Sequence, residues 1–387
     1  MDVGRLRADT PGCAEVVHFN NAGAALMPRP VLDAVVGHLR LEAHIGGYEA
    51  ADAAQQAIED TYAALAQLLG CAPDEIALVE NATRAWDMAF YSIHLEPGDR
   101  ILTARAEYAS NYIAYLQVAR RTGARVEAIP NDPTGQVSVD GLRSMMDARV
   151  KLVSITHVPT NGGLVNPAAA IGQVAREWKV PFLLDACQSV GQLFTQVDDV
   201  HCDILSGTGR KYLRGPRGTG FLYVRRSLIQ QLEPPFLDLH AAEWTQPDQY
   251  VIREDARRFE AWESNVAGKI GLGVAARYAL DVGLDSIQQR VTDLAEHLRG
   301  ELSRLPGVSV HDRGRQRCGI VTFTMETHSP EDIKRKLAAQ QINVTTSSRA
   351  STMLDMDERQ LDKVVRASVH YYNTEEEVAR LCSALSA

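Results

Sequence analysis

Short apolar runs at residues 75–79, 100–103, 125–129, 151–156 and 181–184 alternate with longer stretches of helical character. A strand–helix repeat of about 25 residues calls for a mainly parallel α/β sheet whose ligand lies beyond the carboxyl ends of the strands. Tyr108, His157, Asp185 and Lys211 all fall just after expected strands. That shared placement gathers four chemically capable side chains at one edge of one sheet.

The stretch SGTGRKYLRGPRGTGFLYV, Ser206 to Val224, carries one lysine, Lys211, flanked by Arg210, Arg214 and Arg217. Glycines at 207, 209, 215, 218 and 220 let the backbone approach a flat ligand, and residues 220–224 form a strand. Nearby cations can hold an anion and disfavour protonation of the lysine amine. Such equipment suits an imine-forming lysine and a phosphorylated carbonyl cofactor, above all pyridoxal phosphate (PLP). A basic surface loop fits the same residues. Neither GxxxxGK[ST] nor GxGxxG is present, which removes two nucleotide-binding readings.

Asp185 follows the apolar run PFLL. A buried carboxylate needs a partner, and a protonated pyridine nitrogen is one; capping a short helix near Gln188 is the other use. In ENATRAWDMAFYSI, Asn81 is a good N-cap, so Ala82 and Thr83 present free N–H groups at a helix start, which suits a phosphate or an ordinary capped helix. HFNNAGAALMPRP places Asn20, Asn21 and Gly23 in a turn before a helix opening at Val31 and breaking near Gly46-Gly47.

With 387 residues the chain can form two domains around a large core. A net charge of −9 argues against a nucleic-acid partner. No run of 18 apolar residues is present, so no membrane span is expected, and the first residues lack the apolar core of a secretory signal. The six cysteines, at 13, 71, 187, 202, 318 and 382, are scattered and form no zinc pattern. They read as reduced thiols of a cytoplasmic protein without a structural metal.

Residues 1–17 look like a loose lead-in, and the helix at 50–69 is alanine-rich. Residues 234–255, with His240, Trp244 and Tyr250, are expected to be a loop insertion. Two helices follow, at 266–282 and up to about residue 302. After them come strands at 308–311, 319–324, 342–345 and 364–369 and helices at 330–339 and 374–385. The expected division is a large α/β domain over 18–282 and a small α+β domain from 1–17 and 283–387.

In order along the chain, NNAG, the Asn81–Thr83 turn, DACQ, GRKYLRGPRG and RASVHYYNT resemble the motifs of fold-type I PLP enzymes of the class V aminotransferase and cysteine desulfurase group. The resemblance implies a mainly parallel seven-stranded sheet with a smaller α+β domain, and PLP as cofactor. It makes Lys211 the imine lysine, pairs Asp185 with the pyridinium and sets Gln188 against the phenolic oxygen. Ala82, Thr83, Thr208 and Arg210 would bind the phosphate. Tyr108 would stack on the ring, and Thr160 stands where the family has a cofactor-contacting asparagine. Arg366 would grip the substrate's α-carboxylate, with Asn21 and Gly23 nearby. It also implies a homodimer with shared sites.

The chain departs from the family's pattern at two places. Desulfurases carry a nucleophilic cysteine on the loop that here reads TTSSRASTML, residues 345–354, which has none. Where relatives have a threonine that reaches the phosphate across a dimer interface, this chain has Glu263, with Ser264 as the available substitute. EAHIGGYEAAD, GRKYLRGPRG and FEAWESNVAGKIGLG look most like the carbon–sulfur lyase of ergothioneine biosynthesis, with the lincosamide S-cysteinyl-processing enzymes as neighbours. The expectation is β-elimination from an S-substituted cysteine or its sulfoxide, with His44, Tyr48, His240, Trp244 and residues 345–348 reading a bulky substituent. Decarboxylating oxidative deamination, transamination and epimerisation would use the same lysine and aspartate, and a non-catalytic binding protein is the reading outside enzymes.

Overall fold

Segments such as Phe182–Asp185, Ile204–Thr208 and Gly220–Val224 are buried at every position, as befits strands covered on both faces. The computed structural model describes residues 1–386; Ala387, the last residue of the expected small domain, lies outside them. In chain order the strands are β1 (Val17–His18), β2 (Ile76–Val79), β3 (Arg100–Thr103), β4 (Arg125–Ala128), β5 (Val150–Thr156), β6 (Phe182–Asp185), β7 (Ile204–Thr208), β8 (Gly220–Val224), β9 (Ala242–Gln246), β10 (Gln249–Ile252), β11 (Val308–Val310), β12 (Ile320–Met325), β13 (Ile342–Asn343), β14 (Thr345–Ser348) and β15 (Lys363–Ser368).

A seven-stranded sheet has the order β2-β8-β7-β6-β5-β3-β4. Only β8 runs against its neighbours, β2 and β7. Alternate residues point to opposite faces and build two apolar layers. Ala77, Ile101, Leu152, Leu183 and Leu222 meet Trp86, Phe90 and Tyr115 on one face. Leu78, Leu102, Val153, Leu184 and Phe221 meet Tyr62, Leu65 and Leu69 on the other. Helix Val266–Val282 lies close against helix Gln55–Leu69: a Cβ on Gly273 would fall 2.2 Å from Thr61 Oγ1.

The second sheet, β11-β12-β15-β14, is antiparallel throughout. Its strand β15 is tied to the first layer's lead-in, because Asn20 bridges to Ser368 and the Ser368 N–H donates to the Phe19 carbonyl at 2.7 Å.

Several local expectations give way. Residues 1–17 hold a helix, Val3–Ala8, capped by Asp2, whose carboxylate accepts from Arg5 N–H, and β1 pairs with β13. The long helix at 50–69 is two helices, Gly47–Ala53 and Gln55–Leu69. The 234–255 insertion contains the hairpin β9–β10, with Trp244 opposite Tyr250. Both of its faces are largely exposed, so it carries no buried-face alternation to betray it. Residues 345–354 are not a loop: β14 runs into a short 3₁₀ turn, Arg349–Ser351, and then helix Met353–Glu358.

Candidate active site

The carboxyl ends of β2, β3, β5, β6 and β7 surround a cavity of about 140 Å³. Ala82, Thr83, Tyr108, Thr160, Asp185, Gln188, Thr208, Arg210 and Lys211 all line it, together with Asn81, Asn111, Thr156, Val158 and Cys187.

Lys211 is placed by a tight turn after β7. The Gly215 N–H donates to the Gly209 carbonyl at 2.7 Å, and Arg214 N–H to the Lys211 carbonyl at 2.9 Å. Arg214 takes a positive φ of 62°, unusual for a side-chain-bearing residue. Its buried guanidinium anchors that conformation: Nε donates to the Leu26 carbonyl at 2.8 Å, Nη1 to Tyr371 Oη at 2.8 Å, and Nη2 to Thr10. The same segment 22–26 closes over the loop, because Ala25 N–H reaches the Arg210 carbonyl at 2.9 Å and Arg210 donates to the Gly23 carbonyl. Burial lowers the Lys211 pKa, and the Arg210 and Arg366 charges lower it further against the opposing pull of Cys187 and Asp185.

Asp185 ends β6. Its Oδ1 accepts from Cys187 N–H at 3.0 Å and its Oδ2 from Asn111 Nδ2 at 3.0 Å. Gln188 spends Nε2 on the Ala22 carbonyl at 3.1 Å, and its Oε1 is buried without a partner. Asn81 caps helix Ala82–Phe90 through Arg84 N–H at 2.9 Å. Gly220 permits β8 to pass this helix start, since a Cβ there would sit 2.5 Å from Asn81 C and 2.8 Å from Ala82 N.

Arg366, on β15, donates to both the hydroxyl and the carbonyl of Thr160. Burial brings its pKa down to about 10, Tyr212 opposing and Arg210 adding to the fall, and its Nε is unpartnered. Arg210 and Arg366 hydrogen-bond only to neutral groups among the described residues. A pocket with cations in excess, free N–H groups at a helix start, one carboxylate and orphaned polar atoms fits a phosphorylated pyridine aldehyde and a carboxylate-bearing substrate.

Other expected residues lie elsewhere. Asn21 is fully buried, bonded to Ser368 and Asn373, and Gly23 contributes its carbonyl to Arg210. Tyr48 is 74% exposed on helix Gly47–Ala53 and does not line the cavity. Ser264 and Glu263 line a separate small hollow with Glu80 and Lys269. Behind that hollow, Glu260 accepts from Tyr62 Oη at 2.9 Å, Leu78 N–H at 2.8 Å and Lys269 Nζ at 3.3 Å.

Asn111, Cys187 and Glu107 were not singled out in the sequence. Asn111 stands four residues after Glu107, in the first turn of the helix that Tyr108 opens, a spacing that could have drawn notice. Burial pushes the Glu107 carboxyl up to about 7, the Thr156 hydrogen bond opposing and the Asp185 charge adding to the rise.

Comparison with known proteins finds relatives along nearly the whole chain. A probable cysteine desulfurase of Xylella fastidiosa is 33% identical over 99% of this chain and 95% of its own. The apo structure of a cysteine desulfurase from Thermococcus onnurineus NA1 superposes with a TM-score of 0.91 at 27% identity, covering 99% of this chain and 97% of that one. The cystine C–S lyase C-DES, in complex with its reaction product cysteine persulfide, gives a TM-score of 0.88 at 25% identity over 97% and 99% of the two chains. A lysine-to-alanine variant of C-DES, with glycine covalently linked to its PLP cofactor, gives 0.89 at 25% identity over 98% of each. The class-V aminotransferase family matches residues 17–381, and the chain belongs to that family.

Proposed function

We propose that this PLP-dependent enzyme is a C–S β-lyase that cleaves an S-substituted cysteine, or its sulfoxide, to a thiol or sulfenate with pyruvate and ammonia. One observation carries the reading: no cysteine stands on the segment that would present a persulfide-forming thiol. Residues 345–354 are instead a pinned strand and turn, with Asn161 Nδ2 donating to the Ser348 carbonyl and to Thr352 Oγ1, each at 2.9 Å. The cysteine that does border the cavity, Cys187, has its pKa pushed well up by burial, so it is no ready thiolate. The C–S lyase named among the structural neighbours supports the same chemistry.

PLP, when bound, would supply an aldehyde for the substrate amine and a ring able to accept the electron pair of the Cα–H bond. Lys211 Nζ, poised by its lowered pKa, removes the Cα proton and delivers a proton to the departing sulfur. Asp185 would hold the proton on the ring nitrogen. The N–H groups of Ala82 and Thr83, with Thr83 Oγ1, Thr208 and Arg210, bind the phosphate. Gln188 would meet the phenolic oxygen, Thr160 would contact the cofactor, and Tyr108 would stack on the ring. Arg366 takes the α-carboxylate through two parallel N–H···O bonds.

The enzyme works as a homodimer in the cytoplasm. Tyr48, Leu39, Ile45 and Trp262 are exposed apolar side chains of the kind an interface covers, and Tyr48 and Ser264 then serve the neighbouring copy's site. The likeness of EAHIGGYEAAD to the ergothioneine carbon–sulfur lyase favours a bulky polar sulfur substituent. Incubation with S-alkyl cysteine tests the reading: thiol and pyruvate in equal amounts support it, whereas a 2-oxo acid formed only when an amino acceptor is added points to transamination.

A further inference from the structure

Glu107 is 2% exposed and no cation pairs with it among the described residues. Five donors converge on it instead: Oε2 accepts from Thr103 Oγ1 at 2.9 Å and Thr156 N–H at 3.0 Å, and Oε1 from Tyr108 N–H and Asn111 Nδ2, each at 2.9 Å, and from Thr156 Oγ1. A buried carboxylate without a counter-charge is costly to retain. Helix entry alone does not explain it, because Tyr108 is the N-cap residue and only its own N–H needs Glu107.

The Asn111 amide gives the reason. Nδ2 lies 2.9 Å from Glu107 Oε1 and 3.0 Å from Asp185 Oδ2. A carboxylate only accepts, so the amide must turn its two hydrogens toward the two acids, which fixes its orientation. Asp185 is then held at both oxygens, by Asn111 and by Cys187 N–H. By accepting the Tyr108 N–H on Oε1 at 2.9 Å, Glu107 also fixes the N-cap of the helix that follows. One buried acid thus bears on two residues that line the cavity from different strands, and in its ionised form it favours a cation at the ring nitrogen.

We propose that Glu107 is a positioning residue for the cofactor, acting on Asp185 through the Asn111 amide and on Tyr108 through its backbone. The proposal rests on the PLP reading and not on which bond the enzyme breaks.

The test uses the full-length protein stripped of and reloaded with PLP. Glu107→Gln keeps the shape and removes the charge; Asn111→Ala removes the bridge; Thr103→Val removes a donor to Glu107 on the side away from Asn111. Circular dichroism and thermal melting establish that each is folded. Glu107→Gln and Asn111→Ala are each expected to weaken PLP about tenfold, the effect of one lost charge-assisted hydrogen bond. Both should shift the visible band of the bound cofactor in the same direction, since the proton on the ring nitrogen alters the electronics of the conjugated imine that absorbs there. The double variant should fall little further than either single one. Thr103→Val should melt earlier with its band unmoved. Unchanged affinity and band in folded Glu107→Gln would overturn the proposal, as would full additivity in the double variant. If Glu107→Gln fails to fold, Asn111→Ala decides alone: an unmoved band sinks the relay. A wild-type protein that takes up no PLP overturns the cofactor reading itself, a result distinguishable from wild-type and variants binding PLP alike.

Discussion

Arg366 of the antiparallel sheet donates to the carbonyl of Thr160 at 3.3 Å, and to its hydroxyl, across to the loop that follows β5 of the larger sheet. The contact stands between the two sheets: Arg366 is not itself among the residues lining the cavity, but it holds Thr160, which is. Arg366→Lys keeps charge but loses the planar fork, so KM for an amino-acid substrate should rise by about tenfold, and Arg366→Ala should raise it by about a hundredfold. Thr160→Val should raise KM by a smaller factor, because the guanidinium loses its guide but not its charge. Steady-state kinetics on the three variants checks the order.

Lys211 provides a pH test. Only the neutral amine condenses with an aldehyde, and burial, with Arg210 and Arg366, lowers the pKa below the ordinary 10.5. The rate at which apoprotein captures PLP should therefore rise with pH through a midpoint below 10.5, read from the growth of visible absorbance. A midpoint at or above that value would contradict the placement. Lys211→Ala should stay folded, lose the borohydride-sensitive absorbance and lose turnover.

Gly220→Ala should cost about 1–3 kcal/mol, the range for forced overpacking. The added carbon meets Asn81 backbone, so the helix start must shift, and PLP affinity should fall with thermal stability. A variant that melts earlier but binds PLP as wild type would separate the helix start from phosphate binding.

Glu260 is a matter of stability. Burial would raise its pKa, but His240, Lys269 and the Leu78 N–H outweigh that and leave it lowered from 4.5. A depressed carboxyl stabilises the fold fully above the unfolded value and loses that contribution as pH falls through the folded one. Glu260→Ala, which also strands Lys269, should cost about 3–5 kcal/mol near neutral pH. Denaturant melts at pH 7 and at pH 3 should show the gap between wild type and variant closing in acid.

Much of the large sheet was legible because buried parallel strands are short apolar runs and their ends carry the unusual residues. Asp185 after PFLL and Lys211 after a glycine turn are local signals of that kind. The hairpin bearing Trp244 was not, since strands exposed on both faces lack a periodic burial pattern. β14 was hidden for another reason: its threonines and serines are held by pairing with β15 and by Asn161, partners distant in sequence. Glu107 and Asn111 escaped notice because what marks them is Asp185 meeting them in space, 74 residues beyond Asn111. Tyr48 and Ser264 lie away from the cavity in one chain, Tyr48 exposed on helix Gly47–Ala53 and Ser264 at the separate hollow beside Glu80.

The most direct measurement is the fate of the three-carbon skeleton. Cysteine S-conjugate labelled in its carbon chain is turned over by the PLP-loaded enzyme without added thiol or amino acceptor, and pyruvate and alanine are quantified together. β-Elimination predicts labelled pyruvate, ammonia and free thiol in equal amounts, with no alanine. Labelled alanine as the main product, with sulfur retained on the protein, would contradict it.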